Sequence, residues 1–347
     1  MTAYSRFPIA NVYFCSDLSK RFDEKLFIVL LMNLLLYTPY SQYISRYFYH
    51  KVQKIPVDIG CSCPVRDGSI SKGGCSFCNG RSFVPRFAND SEDLLLQIED
   101  GISFYKRKTK GKIVDYLVYF QAGTNTYMSL TKAKRLVETA LSKDEVRGLV
   151  FSTRPDCLSD EWLAYLKELS KETFVEVELG MESVNDEVLK SMGRGHDFAC
   201  SVSSISRLHE AGIPVCAHLI LGLPGESRKS MIDQATWMSR MKVEVIKLHQ
   251  LQILKGSRLA RSFEQHPECF SLFLLHDYVE LVADFLEHLS PQVAVERFVS
   301  QSPSTELIAP KWGVKNDVVT NLIKSTLLER GTFQGAALLT NHEQLIL

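Results

Sequence analysis

From residue 54 onward the chain alternates two kinds of hydrophobic pattern. Short apolar runs predict strands over 54–59, 114–121, 148–152, 174–179, 215–221 and 245–252. Between them, apolar residues recur at helical spacing over 90–106, 130–141, 160–170, 198–211 and 227–241, and again over 272–289 after the sixth strand. Asp90 and Ser227 stand where side-chain N-caps are wanted. Six strand–helix units in a row argue for an α/β fold, a parallel sheet with helices outside. Open or closed, such a sheet presents ligands at the C-terminal ends of its strands. After residue 290 come one strand candidate over 293–298, a Ser/Pro-containing loop and a helix near 317–329. Three segments follow: 1–42 as an N-terminal extension, 43–290 as the core domain, and 291–347 as a C-terminal extension packed on it.

The fourth run adds charge to this pattern. In Phe174-Val175-Glu176-Val177-Glu178-Leu179-Gly180 a period of two separates Val175, Val177 and Leu179 from Glu176 and Glu178. If the valine face meets the helices, two carboxylates point inward, where each needs a cation, a donor or a ligand hydroxyl.

At 347 residues and 45% hydrophobic, the chain can bury one large core. Lys+Arg and Asp+Glu both number 40, so no global field draws it to nucleic acid or acidic membrane. The stretch over 27–37 (FIVLLMNLLLY) falls short of the about 20 apolar residues of a spanning helix. Lys20, Arg21 and Lys25 precede it, but no small-residue cleavage pattern follows. It reads as a core helix or an over-extended start, with Met32 as an alternative initiator.

Nine cysteines form no compact disulfide framework and read as reduced thiols of a cytoplasmic protein. Three of them share one loop: Cys63 just past the first strand, then Cys75 and Cys78 in a C-x-x-C turn. Three thiolates in one loop point to a metal, and three rather than four leave a coordination position open. Gly73 and Gly74 let the backbone turn tightly, Asp67-Gly68 signals a turn, and Phe77 would shield the metal from water. Cys61 keeps a competitor open. As a fourth ligand it would complete a structural zinc site in a non-catalytic binding module. A zinc ribbon, however, prefers two matched C-x-x-C knuckles, and here the first arm is C-x-C. The other cysteines make no second cluster motif.

The loop resembles the cluster-binding loop of the radical SAM superfamily, most closely in its YhcC family, which neighbours the radical SAM domain of the Elongator catalytic subunit. The resemblance runs from about residue 43 to at least 334. It rests on Cys63-Pro64, Arg66-Asp67-Gly68, Gly73-Gly74-Cys75 and Phe77-Cys78; on Tyr119-Phe120-Gln121-Ala122 and Thr124-Asn125-Thr126; on Thr153-Arg154-Pro155-Asp156-Cys157; on Glu178-Leu179-Gly180; on Arg194-Gly195-His196-Asp197; on His218 through Glu226; and on Lys247-Leu248-His249. The spacing is C-x11-C-x2-C rather than the superfamily's commoner C-x3-C-x2-C. Gly123 stands where relatives often carry Tyr, Ser152 where Gly or Glu is usual, and Cys61 where an aromatic is usual.

What the resemblance implies is specific. The fold would be a partial (β/α)6 TIM-like barrel with a short C-terminal extension. Cys63, Cys75 and Cys78 would hold one 4Fe-4S cluster whose fourth iron chelates S-adenosylmethionine. Reductive cleavage would give methionine and a 5′-deoxyadenosyl radical acting on an unknown substrate, RNA being one possibility. The electron would come from a donor such as flavodoxin or ferredoxin. Gln121 and Thr124, with Asn125, would meet the amino group of S-adenosylmethionine. Glu178 would meet the ribose, unless it forms an ion pair with Arg154 or Lys247. Arg194 would meet the carboxylate, unless with His196 it only ties a loop down. Gly222 would lie in the turn against the adenine; Leu221 to Glu226 lacks the Gly-Lys-Ser/Thr ending of a phosphate loop. His218, Lys247 and His249 would reach substrate or serve as core residues. No catalytic residue is assigned. Five basic residues between 106 and 112 could meet RNA, though cations at a helix C-terminus are commonly solvated. The C-terminal extension is too short for an acetyltransferase like that of the Elongator subunit.

Overall fold

The computed structural model describes residues 36–80, 93–110 and 112–343. Met32, Asp90 and most of the apolar stretch over 27–37 lie outside the described residues. The strands are β1 (Lys51–Val57), β2 (Val114–Phe120), β3 (Val146–Thr153), β4 (Phe174–Glu182), β5 (Val215–Leu221), β6 (Val245–Gln250), β7 (Ile253–Leu254), β8 (Ala294–Arg297) and β9 (Leu307–Ala309). Seven form one sheet in the order β1-β2-β3-β4-β5-β6-β8, with every neighbouring pair parallel. β7 and β9 pair antiparallel beside it.

The helices are α1 (Tyr40–Ile44), α2 (Pro64–Asp67), α3 (Leu94–Thr109), α4 (Leu130–Leu141), α5 (Asp160–Leu169), α6 (Asp186–Ser191), α7 (Phe198–Glu210), α8 (Arg228–Arg240), α9 (Arg258–Gln265), α10 (Leu275–Glu287), α11 (Asn316–Glu329) and α12 (Ala336–Glu343). Ser227 caps α8 as expected, accepting from Ser230 N at 3.0 Å. At α3 the cap is Asp93, which accepts from Leu95 N at 2.8 Å.

Both proposed extensions contribute to the barrel. The strand expected over 293–298 is β8, which pairs parallel with β6 (Val245↔Ala294), so a boundary at residue 290 falls inside the sheet. The reason is packing. α10 buries Val279, Leu281, Val282, Phe285 and Leu286 in the same core as the earlier helices, then turns back as one more helix–strand unit. At the other end, Val295 N donates to Thr38 O at 2.8 Å. Gln334 joins the segment before α1 to the turn before β8, accepting from Thr38 N and donating to Ser290 O and Val293 O. Among the described residues no helix is long and apolar enough to cross a membrane.

Strand alternation divides the sheet into two faces. Val175, Val177 and Leu179 pack with Trp162, Leu166 and Leu208 on the helix side. Glu176 and Glu178 face the lumen, as the valine alternation requires. An apolar plug closes one region of that lumen: Tyr43 and Ile44 of α1 pack with Leu117, Cys216, Val245 and Ala294. Beside it lies a level of charge. Lys54 Nζ donates to Glu176 Oε1 at 2.6 Å, Glu178 Oε1 at 2.7 Å and Glu296 Oε2 at 2.6 Å. Lys247 Nζ donates to both Glu178 oxygens at 2.6 and 2.7 Å and lies 3.0 Å from Glu296 Oε1.

Burial decides the protonation of this level. It raises the Glu176 carboxyl to about 7 against the pull of Lys54. It also opposes ionisation of Glu178, but Lys247 and Lys54 outweigh it and hold that carboxyl well below the usual range. Below pH 7, where Glu176 is protonated, the two ammonium groups of this level face two carboxylates and balance them.

Candidate active site

At the C-terminal ends of the strands a cavity of about 470 Å³ opens, within the roughly 300–1,000 Å³ span of small-molecule sites. Its near wall is the cysteine loop. Cys63 precedes the short α2, with Pro64 at its first position. Asp67 Oδ1 then accepts from Ser69 N at 3.0 Å, and Gly74 N donates back to Val65 O at 2.8 Å, folding the long arm on itself. Cys78 N donates to Cys75 O at 3.0 Å and closes the C-x-x-C turn. Outside elements hold the loop: Ser76 N donates to Met192 O, Leu259 N to Ser76 O, and Arg258 Nη2 to Gly74 O at 2.9 Å. Phe77 packs against an apolar cluster containing Val188, Ile220, Leu223 and Leu259.

Cys63, Cys75 and Cys78 all line the cavity, together with Gln121, Thr124 and Arg194. Gly123, beside Thr124, has φ +75°, and a Cβ there would lie 2.1 Å from Cys61 O. Only glycine lets the first arm cross so closely. Asn125 is structural; its Nδ2 donates to Phe120 O and Ser152 O, both at 2.9 Å. Arg194 is buried, and its Nη1 donates to Cys75 Sγ at 3.2 Å. Its Nη2 donates to Gly180 O and, at 3.2 Å, to His196 Nε2. Burial, with Arg194 alongside, pushes His196 down to about 4, so the ring is neutral and able to accept.

Two expected residues lie elsewhere. Glu178 is fully buried among Lys54, Lys247, Tyr119 and His218 and does not line the cavity. Its ion pair is with Lys247 and not with Arg154, which grips Asp156 at 2.7 and 2.9 Å. Four donors saturate the carboxylate, so the ribose role has no free oxygen. Gly222 also stands outside the cavity; its φ of +93° serves the approach of Phe273, 2.8 Å from where a Cβ would lie. The basic run over 106–112 begins in the last turn of α3, with Lys106, Arg107 and Lys108, and leads to the N-terminal end of β2; none of its described residues lines the cavity.

The cavity also holds groups the sequence reading missed. Glu182 lines it, with Oε1 3.8 Å from Arg194 Nη1. Its backbone has φ +72°, beside a register shift in the β4–β5 pairing, strain of the kind that collects at ligand sites. It shares the parity of Glu176 and Glu178, so alternation carried past Gly180 points to it. The far wall contains Tyr119, His218, His249 and Arg297. The rings of His218 and His249 stack at 5.2 Å. His249 Nε2 and Arg297 Nε are buried without a partner. Lys247, by contrast, is spent on the ionic level.

The donor set suits an iron–sulfur cluster better than zinc. Three cysteines of one loop line the cavity and leave a position open, as a cluster with an exchangeable ligand needs, whereas a structural zinc takes four protein ligands. The four-cysteine zinc alternative is not favoured.

Comparison with known proteins agrees. A family model of the Radical SAM superfamily matches residues 68–238, and one of the Radical_SAM C-terminal domain matches residues 243–329. Protein YtqA of Bacillus subtilis is 36% identical over 86% of this chain and 92% of its own. Protein YhcC of Escherichia coli K12 is 34% identical over 78% of this chain and 85% of its own. A tRNA uridine(34) acetyltransferase of Methanocaldococcus infernus is 24% identical over 58% of this chain, but only 37% of its own length is matched. In fold, the chain is similar to the archaeal Methanocaldococcus infernus Elp3, with a TM-score of 0.63 and 17% identity, over 82% of this chain and 64% of that one. The curled parallel sheet, the three-cysteine loop at its mouth and two relatives matched over most of their length converge: the chain belongs to the radical SAM superfamily, in its YhcC/Elp3-like family, whose cofactors are a 4Fe-4S cluster and S-adenosylmethionine.

Proposed function

We propose that Cys63, Cys75 and Cys78 hold the cluster and that the cavity takes S-adenosylmethionine for reductive cleavage, with the resulting radical directed at a polar substrate on the far wall. One observation carries this reading: three cysteines of a single loop line one cavity at the C-terminal ends of parallel strands. When bound and reduced, the cluster supplies the electron that splits S-adenosylmethionine into methionine and a 5′-deoxyadenosyl radical. The chain's own residues then position and enclose. The exposed backbone over 121–124 and the Glu182 carboxylate suit the amino group or ribose hydroxyls of the ligand, and Arg194 its carboxylate. Phe77 and Ile220 keep water from the methionine side.

The substrate is inferred to be an RNA nucleoside. Support comes from the tRNA uridine(34) acetyltransferase among the relatives and from the buried, unpartnered His249 Nε2 and Arg297 Nε, the latter a donor that suits an oxygen-rich or anionic group. Acetyl transfer is not carried over, since most of that relative's length is unmatched. A one-electron donor such as flavodoxin or ferredoxin would complete the cycle in the cytoplasm.

Anaerobic reconstitution tests the reading. The protein should turn brown, lose iron and colour in Cys75→Ala, and release 5′-deoxyadenosine with dithionite. Nucleosides from tRNA of a deletion strain should show one changed mass. A colourless protein with one tight zinc would overturn it. So would S-adenosylhomocysteine as the product, which would mark a methyl donor rather than a radical source.

A further inference from the structure

The eleven-residue arm between Cys63 and Cys75 holds a cation whose job the reading above leaves open. Arg66 sits on α2, and the arm folds back so that its guanidinium lies over the C-x-x-C turn. Nη2 donates to Cys78 O at 3.2 Å and lies 3.5 Å from Cys78 Sγ. Two glycines make the slot. A Cβ at Gly74 would fall 2.9 Å from Arg66 Nη2, and one at Gly80 would fall 3.0 Å from its Cζ. Both glycines have positive φ, +79° and +78°, so backbone and side-chain space are shaped together around this group. Among the described residues no carboxylate pairs with Arg66. Its nearest acceptors there are therefore the carbonyl and the sulfur of Cys78. On the opposite side Arg194 donates to Cys75 Sγ. Two of the three ligand sulfurs thus each face a guanidinium.

We propose that Arg66 is a positioning residue that sets the reduction potential of the cluster by donating to the Cys78 sulfur, and that the long arm exists to bring it there. This rests on the assignment of Cys63, Cys75 and Cys78 as cluster ligands. Adding one electron makes the cluster more negative by one charge. A fixed cation and N–H donor at a ligand sulfur favours that state and raises the potential. Arg66 is solvent-exposed along part of its length, so screening reduces the effect. Lysine keeps the charge but loses the planar fit between the two glycines.

The experiment is a potentiometric titration followed by electron paramagnetic resonance, on reconstituted wild type, Arg66→Gln and Arg66→Lys, without S-adenosylmethionine. At a fixed poise, Arg66→Gln should show an at least tenfold lower ratio of reduced to oxidised cluster, equivalent to a shift of about 59 mV for a one-electron couple. Arg66→Lys should lie between it and wild type. Equal potentials in all three, with full iron content, overturn the proposal while leaving the cluster assignment intact. A potential that holds while S-adenosylmethionine affinity falls makes Arg66 a ligand-binding residue and overturns it too. A wild type that binds no cluster defeats the underlying assignment instead. If Arg66→Gln reconstitutes poorly, Gly80→Ala displaces the same guanidinium without removing it, and should shift the potential in the same direction.

Discussion

Replacing Glu178 with glutamine separates a structural role from a ligand role. The carboxylate accepts from Lys54, from Lys247 twice, from Tyr119 at 2.5 Å and from His218 at 2.7 Å, and has no exposed surface. Glutamine keeps the shape but removes the charge, and turns one acceptor into a donor that faces other donors. Lys247 keeps Glu296 at 3.0 Å as its remaining carboxylate. Breaking a buried ion pair from one side costs ~3–5 kcal/mol. At about 2 °C per kcal/mol for a chain of this size, the melting temperature should fall by roughly 5–10 °C. Urea and thermal unfolding of the apo protein at pH 7.5 measure this directly. The reconstituted variant, kept cold, should bind S-adenosylmethionine with nearly unchanged affinity. An unchanged melting temperature together with a tenfold loss of that affinity would refute the reasoning and return Glu178 to the ribose.

Glu176 makes a pH-dependent contrast. Burial raises its folded pKa to about 7 from an ordinary 4.5, so its stabilising contribution is full below 4.5 and is lost as pH rises through 7. Relative to Glu176→Gln, the wild type should lose about 3 kcal/mol between pH 4.5 and pH 8; parallel stability curves would contradict this. Gly123→Ala forces a Cβ onto Cys61 O and a positive φ onto alanine, strain of ~1–3 kcal/mol; reconstituted iron should drop by at least half, and full iron loading would count against the crossing. Glu182→Gln should leave apo stability unchanged, because its ion contact is 3.8 Å long, yet weaken S-adenosylmethionine binding roughly tenfold; calorimetry showing equal affinity removes it from the site. Arg297→Gln removes a guanidinium whose Nε has no partner; apo stability and uncoupled 5′-deoxyadenosine release should persist while modified nucleoside disappears, and normal product would free Arg297 of a substrate role.

The strands were legible because parallel strands buried on both faces read as dense apolar runs, and β5 matches its expected span residue for residue. The cysteine loop was legible because its three cysteines are local in sequence. What was not legible depended on distant partners. Nothing near Glu178 in the chain announces that Lys54 on β1, Lys247 on β6 and Glu296 on β8 will surround its side of the lumen. β8 was visible as a strand, but its pairing with β6 was not, since a short strand after the last helix fits an extension equally well. Arg297 was hidden for a sharper reason. The β6–β8 register shifts between Ile246 and Lys247, so Lys247 pairs with Arg297 while Glu296 still reaches the lysines. Alternation alone cannot place two consecutive residues in the same interior.

The ionic level also fixes what the cavity can offer a substrate. Because Glu178 stays ionised, it accepts from His218 Nε2, and burial keeps that ring neutral. The tautomer is thereby set: Nε2 carries the proton and Nδ1 is the acceptor. Burial and the neighbouring Arg297 hold His249 well below its usual range, so it too is neutral. Two neutral imidazoles beside one guanidinium make a wall with a single fixed charge and, at His218, defined donor and acceptor positions. Glu176 titrates near 7 in the level beneath, where its hydrogen bonds are with Lys54 and Tyr40 rather than with either imidazole. A radical generated at the cysteine side would therefore meet a substrate held by hydrogen bonds of fixed polarity. That places the burden of specificity on β5, β6 and β8, and the burden of chemistry on the loop after β1.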